Sequence, residues 1–334
     1  MKKYNVAVVG ATGAVGEEII RVLERRNFPV KELRLLASTR SIGKKLLFNN
    51  QPIAVQELKD EAFDGIDYAI FSAGAKRTRE FASAAIRAGA IVIDNSSAFR
   101  LDPEVPLVIP EINPGDLKNH KGIIANPNCT AAILGTVLWP LHCEAKITRI
   151  IVSTYQSASG AGAQAMEELK QQVGQFVRNE AVTKSVFPHQ IAFNVFSHNT
   201  KIEDNGYNEE ENKVVKEIRK MFHEPHLPIT ATCVRVPVLR AHSESVVIET
   251  EKKLTPERAR QILSHAPGVL VVDDRDKNHF PMPLAATGEL DVLVGRIRED
   301  LSNPHGLALF ISGDQLLKGA AWNAVQIVEC LIHK

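Results

Sequence analysis

The chain is short of cysteine and of net charge, and each shortage closes off a class of protein. Its four cysteines, Cys129, Cys143, Cys233 and Cys330, are widely spaced and form no Cys-x-x-Cys pair. A reducing, cytoplasmic setting is therefore expected. Forty Lys and Arg against 39 Asp and Glu leave a net charge of +1. No overall field draws such a chain to nucleic acid or to an anionic membrane, so neither is expected as a partner. Long apolar runs are also missing: the longest nearly uncharged stretch, Thr130 to Leu141, is too short to span a bilayer and contains Pro140. Met1-Lys2-Lys3 runs into a short apolar stretch ending at Gly10, with no long hydrophobic region or cleavage site, so no secretory signal is expected. His223-x-x-His226 has a metal-like spacing, but Pro225 interrupts it and no second ligand pair is apparent, so no metal is expected either.

What remains is ordinary globular composition, 44% hydrophobic and 24% charged over 334 residues, which suggests about two domains. The first third alternates β-rich runs (Tyr4 to Val9, Leu33 to Ala37, Tyr68 to Phe71, Ile91 to Ile93) with helical patterns such as Val15 to Arg25. That alternation predicts a doubly wound parallel sheet, and the almost wholly apolar strands fit burial on both faces. After about residue 128 a helical stretch from Cys129 to His142 is followed by a strand-like run, Arg149 to Tyr155, and a small-residue loop, Gln156 to Gly162. A helix is predicted at about Glu209 to Phe222, started by Asn208, with further strands at Ile229 to Val238, Glu244 to Glu251 and Val292 to Arg298. The expected class is α/β: a Rossmann-type nucleotide-binding domain over 1–128, an α+β catalytic and dimerisation domain over 129–314, and a C-terminal segment, 315–334, whose amphipathic helix, Gln315 to His333, completes the first domain.

Gly10-Ala11-Thr12-Gly13-Ala14-Val15-Gly16 lies between the first strand and the first helix. Gly10 suits the tight turn, Gly13 lets backbone approach a pyrophosphate, and Gly16 permits close packing of helix on strand; the helix amides then face the anion. The spacing is G-x-x-G-x-x-G, and its context is that of a Rossmann-type dinucleotide turn. The second strand ends in Ala37-Ser38-Thr39-Arg40-Ser41, with no acid placed for ribose hydroxyls. Arg40 instead offers a planar cation for a 2′-phosphate, which predicts NADP.

Asn126-Pro127-Asn128-Cys129-Thr130 carries the most chemistry. Pro127 ends the preceding segment, Asn128 is a good N-cap, and Cys129 falls in the first turn of a helix. There, unpaired amides and the dipole lower a thiol pKa from about 8.5, making Cys129 a nucleophile candidate. Cys143, Cys233 and Cys330 lack that context and are expected to be inert. Arg235 and His242, seven residues apart, would point to opposite faces of one unbroken strand. Pro237 is expected to break it and let both reach one pocket.

At these positions the chain resembles aspartate-β-semialdehyde dehydrogenase. The resemblance spans essentially its whole length, through GATGAVG, ASTRS, DNSSAFR ending at Arg100, NPNCT, STYQSASGAG, EDNGYNEEENK, VRVPVLRAHSES and GDQLLKGAAWN. It implies that Cys129 is the acyl-accepting nucleophile, His242 the acid/base, and Gln156 the residue orienting the carbonyl and the thiohemiacetal. Arg235 would bind the substrate α-carboxylate and Glu210 its amino group, while Arg100, Lys213 and Asn128 would receive phosphate. On the cofactor side it implies Thr12, Gly13, Ala14, Val15, Arg40, Ser41, Ser159, Gly160, Gln315 and Asn323. It also implies a homodimer, and the conversion of L-aspartyl 4-phosphate and NADPH to L-aspartate 4-semialdehyde at the branch toward lysine (through diaminopimelate), methionine and threonine.

The residues suit that chemistry. An acyl phosphate needs a nucleophile, cations for the departing phosphate and a hydride donor beside the acyl carbon. Alternatives stand beside several assignments: Lys213 and Glu210 as an ion pair along one helix, Gln156 as a cap of the loop after it. A reductase for N-acetyl-γ-glutamyl phosphate, or a Rossmann-type binding protein without catalysis, would share the architecture.

Overall fold

The computed structural model describes residues 2–332. The chain divides into two compact units, Met1–Asn128 with Ala320–Lys334, and Cys129–Gly319.

The first unit begins with β1 (Tyr4–Val9), α1 (Ala14–Arg25) and β2 (Val30–Ala37), then a hairpin of β3 (Lys45–Phe48) and β4 (Gln51–Glu57). It continues through β5 (Tyr68–Phe71), α2 (Ala75–Arg87), β6 (Ile91–Asp94) and β7 (Ile123–Ala125). The strand order is β3-β4-β2-β1-β5-β6-β7. All neighbours are parallel except the β3/β4 pair, which is antiparallel. The expected parallel sheet is present and carries one antiparallel pair at its edge. Asn49 and Asn50 make its turn at φ 49° and 60°, the left-handed pair that a two-residue hairpin turn of matching twist requires. Strand order reverses between β1 and β5, and at such a switch point the strand ends leave a crevice for ligand.

In the second unit, α3 (Cys129–Ala145), β8 (Ile147–Gln156), α4 (Ala163–Val177), β9 (Phe196–Ser197), α5 (Glu209–Met221), β10 (Ile229–Arg235) and β11 (His242–Thr250) come first. They are followed by α6 (Pro256–His265), β12 (Val269–Val271), α7 (Pro283–Ala286), β13 (Val292–Glu299) and β14 (Gly306–Gly313). The sheet is mixed, in the order β12-β13-β14-β11-β8-β10-β9. α3 packs against β8, β11, β13 and β14 and also against α5 and α6. A helix covered all round must be apolar all round, and this explains the uncharged run from Thr130 to Leu141.

The segment read as one helix from Gln315 has two parts: a π-helical turn at Leu317–Ala321, then α8 (Trp322–Ile332). His333, where that helix was expected to end, lies outside the described residues. α8 packs on α1 and β6 of the first unit, with the Arg26 guanidinium 4.7 Å over the Trp322 ring. No described helix is long and apolar enough to cross a membrane.

Candidate active site

The glycine turn is shaped by close approach. Gly10 sits at φ +85°, and a Cβ there would lie 2.4 Å from the Ser72 carbonyl oxygen; one on Gly16 would lie 2.2 Å from the Gly10 carbonyl. Side chains at either place would separate β1 from β5 or α1 from the turn. Gly13 is the N-cap of α1, which begins at Ala14 and Val15 with no side chain filling the cap. Its amides therefore open onto a cavity of about 480 Å³ lined by Gly10, Thr12, Gly13, Ser38, Arg40 and Ser72, among others. Thr12 Oγ1 and Ser41 Oγ lie 3.2 Å apart.

The lining also contains Glu57 and Arg77, which the sequence reading missed. Glu57 stands beside Ala37 in the β2/β4 register. An acid therefore reaches this cavity from β4 rather than from the end of β2. The Asn49-Asn50 hairpin signal could have placed it, had the β4 pairing been read.

The rest of the first unit locks the segment that leads to Cys129. Asn126 donates from Nδ2 to Asn95 Oδ1 at 2.9 Å and accepts at Oδ1 from Asn323 Nδ2 at 2.6 Å. Asn323 also donates to the Val108 carbonyl at 2.9 Å and is 0% exposed. Arg100 is buried and donates to the carbonyls of Asn126 and Asn95, both at 2.8 Å. Asn128 ends this unit, also buried.

The second unit collects the remaining residues at the ends of its central strands. Cys129 is the first residue of α3, where backbone N–H groups have no partner within the helix. Beside it, Thr130 Oγ1 accepts from Gln156 Nε2 at 3.1 Å, and the same nitrogen lies 3.1 Å from Glu210 Oε1. Gln156 ends β8 and ties the first turn of α3 to α5; it does not cap the following loop.

α5 is aimed by a capping box. Glu211 N–H donates to Asn208 Oδ1 and Asn208 N–H to Glu211 Oε2, both at 2.9 Å. The other Glu211 oxygen accepts from Cys233 N–H at 2.9 Å, pinning the helix start to β10. That places Glu210, in the first turn, beside the strand that ends in Arg235. Lys213 Nζ lies 3.0 Å from Glu209 and 3.9 Å from Glu210, so its principal ion pair is with Glu209, one residue earlier than the sequence suggested.

Arg235 and His242 lie on different strands, β10 ending at the first and β11 starting at the second. Both strands flank β8, and the link between them removes the parity objection. Their side chains meet over Gly160, where a Cβ would lie 2.9 Å from Arg235 Nη1 and 3.1 Å from His242 Nε2. Arg235 donates from Nη1 to the Ser157 carbonyl at 3.1 Å, and its guanidinium carbon sits 5.7 Å over the Phe187 ring. Burial lowers its pKa, opposed by the negative charges of Glu210 and of Cys129. His242 is fully buried, and burial followed by the Arg235 charge pushes its pKa down to about 3. Ser159 Oγ accepts from Gln315 Nε2, while Gln315 Oε1 accepts from Ala241 N–H at 2.9 Å.

His198, which the sequence reading passed over, is buried against the same charges. Burial first, and then Arg235, lower its pKa to about 4. Its Nδ1 lies 3.2 Å from Thr200 Oγ1, which accepts from Glu210 N–H at 3.2 Å. Only the pairing of β9 with β10 brings it there.

Comparison with known proteins adds the following. The family profile "Semialdehyde dehydrogenase, NAD binding domain" matches residues 5–120, and "Semialdehyde dehydrogenase, dimerisation domain" matches 138–318. The chain is 53% identical over 98% of its length, and 97% of the relative's, to an aspartate-semialdehyde dehydrogenase of Synechocystis sp.. It superposes with TM-score 0.98 on the crystal structure of aspartate semialdehyde dehydrogenase II complexed with ASA from Vibrio cholerae, at 41% identity, covering 100% of this chain and 99% of that one. A structure from Candida albicans of aspartate semialdehyde dehydrogenase with NADP is similar at TM-score 0.75 and 25% identity, over 99% of this chain and 98% of that one.

Proposed function

The chain belongs to the aspartate-semialdehyde dehydrogenase family, and from that premise we propose that it converts L-aspartyl 4-phosphate and NADPH to L-aspartate 4-semialdehyde, phosphate and NADP⁺. The observation that carries the reading is the convergence of Arg235 Nη1 and His242 Nε2 over Gly160, in the unit whose α3 starts at Cys129.

Cys129 supplies the nucleophile: its sulfur bonds to the acyl carbon, and the carbon–oxygen bond to phosphate breaks. Arg235 holds the substrate α-carboxylate, and Glu210, fixed by the capping box, takes the α-ammonium. Gln156 orients the carbonyl, with its amide already anchored to Thr130 and Glu210. His242 faces the oxygen of the thiohemiacetal. Lys213 of the second unit and Arg100 and Asn128 of the first are the groups the family pattern implies for phosphate. In that pattern Ser159 and Gly160 belong to the cofactor side, and Gln315 and Asn323 lie near the nicotinamide; Asn323 also donates to Asn126 Oδ1.

The glycine cradle, the open amides of α1 and Arg40 fit a dinucleotide with a 2′-phosphate. When bound, NADPH supplies the hydride that reduces the thioester. Arg40→Ala raises KM for NADPH about 10- to 100-fold, the worth of charge-assisted hydrogen bonds to one phosphate, with little change for NADH. Unchanged NADPH kinetics would remove the assignment.

A homodimer is supported by exposed apolar side chains on the second unit. Phe176 and Phe193 have ring centroids 4.7 Å apart and lie beside a cavity lined by Leu169, Val173, Pro237 and Leu239. A cytoplasmic location belongs to this reading, supported by the four widely spaced cysteines, which form no Cys-x-x-Cys pair.

The deciding experiment is phosphate-dependent reduction of NADP⁺ with aspartate semialdehyde and, in parallel, with N-acetylglutamate semialdehyde. The free amino acid is expected to be preferred about 100-fold or more, because an acylated nitrogen leaves the Glu210 carboxylate without its charged partner. Preference for the acetylated compound overturns the reading.

A further inference from the structure

Between α4 and β9 the chain runs from 178 to 195 without helix or strand, a long excursion for a compact unit, and two side chains of α4 hold its second half. Glu168 is 3% exposed. Its Oε2 accepts from the backbone N–H of Ser185 at 2.6 Å, from Ser185 Oγ at 2.7 Å and from Val186 N–H at 2.5 Å, while Oε1 accepts from Phe187 N–H at 3.1 Å. Three consecutive amides thus converge on one carboxylate, as they do around a bound anion. One turn further along α4, Gln172 Oε1 accepts from the N–H groups of Ile191 and Ala192 at 2.9 and 3.0 Å, and Gln172 Nε2 donates to the Thr183 carbonyl at 3.0 Å. The loop is gripped on both sides of Phe187.

Phe187 is where this loop meets the site. It is buried in an apolar cluster with Ala158, Leu169 and Ile191, and its ring lies against the Arg235 guanidinium, whose carbon is 5.7 Å from the ring centroid. The edge of that guanidinium is tied through Nη1 to the Ser157 carbonyl at 3.1 Å and through Nε to Asn199 Oδ1 at 3.5 Å. Edge contacts alone leave the plane free to tilt; a ring against its face fixes the tilt. A fork that meets a carboxylate with two parallel hydrogen bonds depends on that tilt.

The grip depends on the charge of Glu168. Burial by itself raises the carboxyl pKa, but the Ser185 hydroxyl and the amides of Val186, Ser185 and Phe187 more than reverse this, and the net shift is downward. At neutral pH the group is an anion and accepts from every one of these donors.

We propose that Glu168 is a positioning residue for substrate binding: its carboxylate fixes the 185–187 backbone, which seats Phe187 against Arg235 and so sets the plane of the guanidinium that takes the substrate α-carboxylate. The proposal rests on the dehydrogenase reading above and deepens it. The α-carboxylate takes no part in bond making, so its contact with Arg235 is alike in bound substrate and transition state. A tilted Arg235 therefore raises KM and leaves kcat nearly unchanged.

The test compares Glu168→Gln, Phe187→Leu and the double variant. Gln keeps the shape but turns one acceptor into a donor that faces the loop donors; Leu keeps apolar bulk without a ring face. Each single variant is expected to raise KM for aspartate semialdehyde about 3- to 30-fold, the worth of a cation–π contact away from bulk water, with kcat within about two-fold. The double variant is expected to match the stronger single one, because both act through the same contact. Gln175→Ala is the control: Gln175 holds Thr183 through its N–H and its hydroxyl, remote from Phe187, and should leave KM within about two-fold. A second readout needs no substrate. In enzyme labelled with ¹⁵N-arginine, the Arg235 Nε–H signal, assigned by its loss in Arg235→Lys, carries the ring-current shift of Phe187. Phe187→Leu removes that shift, and Glu168→Gln is expected to move the signal the same way. A Glu168→Gln enzyme with wild-type KM and signal overturns the proposal, as does a loss confined to kcat, a rise in KM no larger than that of Gln175→Ala, or additive effects in the double variant. Should Glu168→Gln fail to fold, Ser185→Ala, which removes one donor to the carboxylate, must move the Arg235 signal in the same direction; a stationary signal overturns the proposal. A wrong substrate assignment would show in the turnover of the wild type and leave the NMR result standing.

Discussion

Cys129→Ala lowers kcat for phosphate-dependent oxidation of aspartate semialdehyde by about 10⁴-fold or more, because no other group can take over the covalent step. Among the other cysteines, Cys233 is buried and its thiol is pushed well up by burial, which makes it a poor nucleophile. Burial also raises the Cys143 thiol. Cys129 alone of the four stands at a helix start, where the helix dipole favours a thiolate. The Arg235 guanidinium adds positive charge within electrostatic reach. Cys129→Ser keeps the shape but not the nucleophile, since an alcohol ionises far less readily than a thiol and leaves less readily from the acyl carbon. It is expected to be as inactive as the alanine variant. The measurements are turnover and mass spectrometry of enzyme quenched during the reaction: a covalent acyl adduct on Cys129 in the wild type, none in either variant. An alanine enzyme that keeps turning over, or an adduct found elsewhere, would sink the thioester route.

Replacing Glu244 by Gln stabilises the protein, and by an amount that grows with pH. Glu244 lies on β11, two residues after His242, is 0% exposed, and neither carboxyl oxygen has a partner. Burial raises its pKa well above the ordinary 4.5. The unfolded chain releases this proton near its ordinary pKa, while the folded protein keeps it until a much higher pH. As pH rises between the two values the unfolded state gains stability relative to the folded one, by about 1.4 kcal/mol per pH unit. Below pH 4.5 both states are protonated and the cost vanishes. Gln keeps the size and polarity without a proton to lose, so its advantage should be small at acid pH and widen at that slope toward the folded pKa. Urea unfolding of both proteins across the pH range reads the difference. A constant difference would mean that Glu244 is not held neutral.

Much of this site is written in local signals. The glycine turn is legible because Gly10 and Gly16 answer steric demands set within a few residues, as their clashes with Ser72 and the turn itself show. Cys129 at a helix start followed from Pro127 and Asn128, and the start of α5 from Asn208 with Glu211 three residues on. Even the separation of Arg235 from His242 onto two strands was signalled by Pro237.

Other parts depend on pairings that no short stretch records. Glu57 reaches the cofactor cavity only because β4 lies beside β2, and His198 reaches Arg235 only because β9 lies beside β10. β14 was missed, and it forms a central neighbour of β11; its residues carry no charge alternation because both of its faces are buried. The C-terminal helix was read as starting at Gln315, where a π-helical turn intervenes and Gln315 instead holds Ala241 and Ser159. Residue identity and local spacing determined which chemistry the chain carries: a thiol at a helix start, a histidine, an arginine and a dinucleotide turn. Tertiary structure decided which of these groups meet and how readily each takes a charge, because burial and the nearest charges come from neighbours distant in sequence.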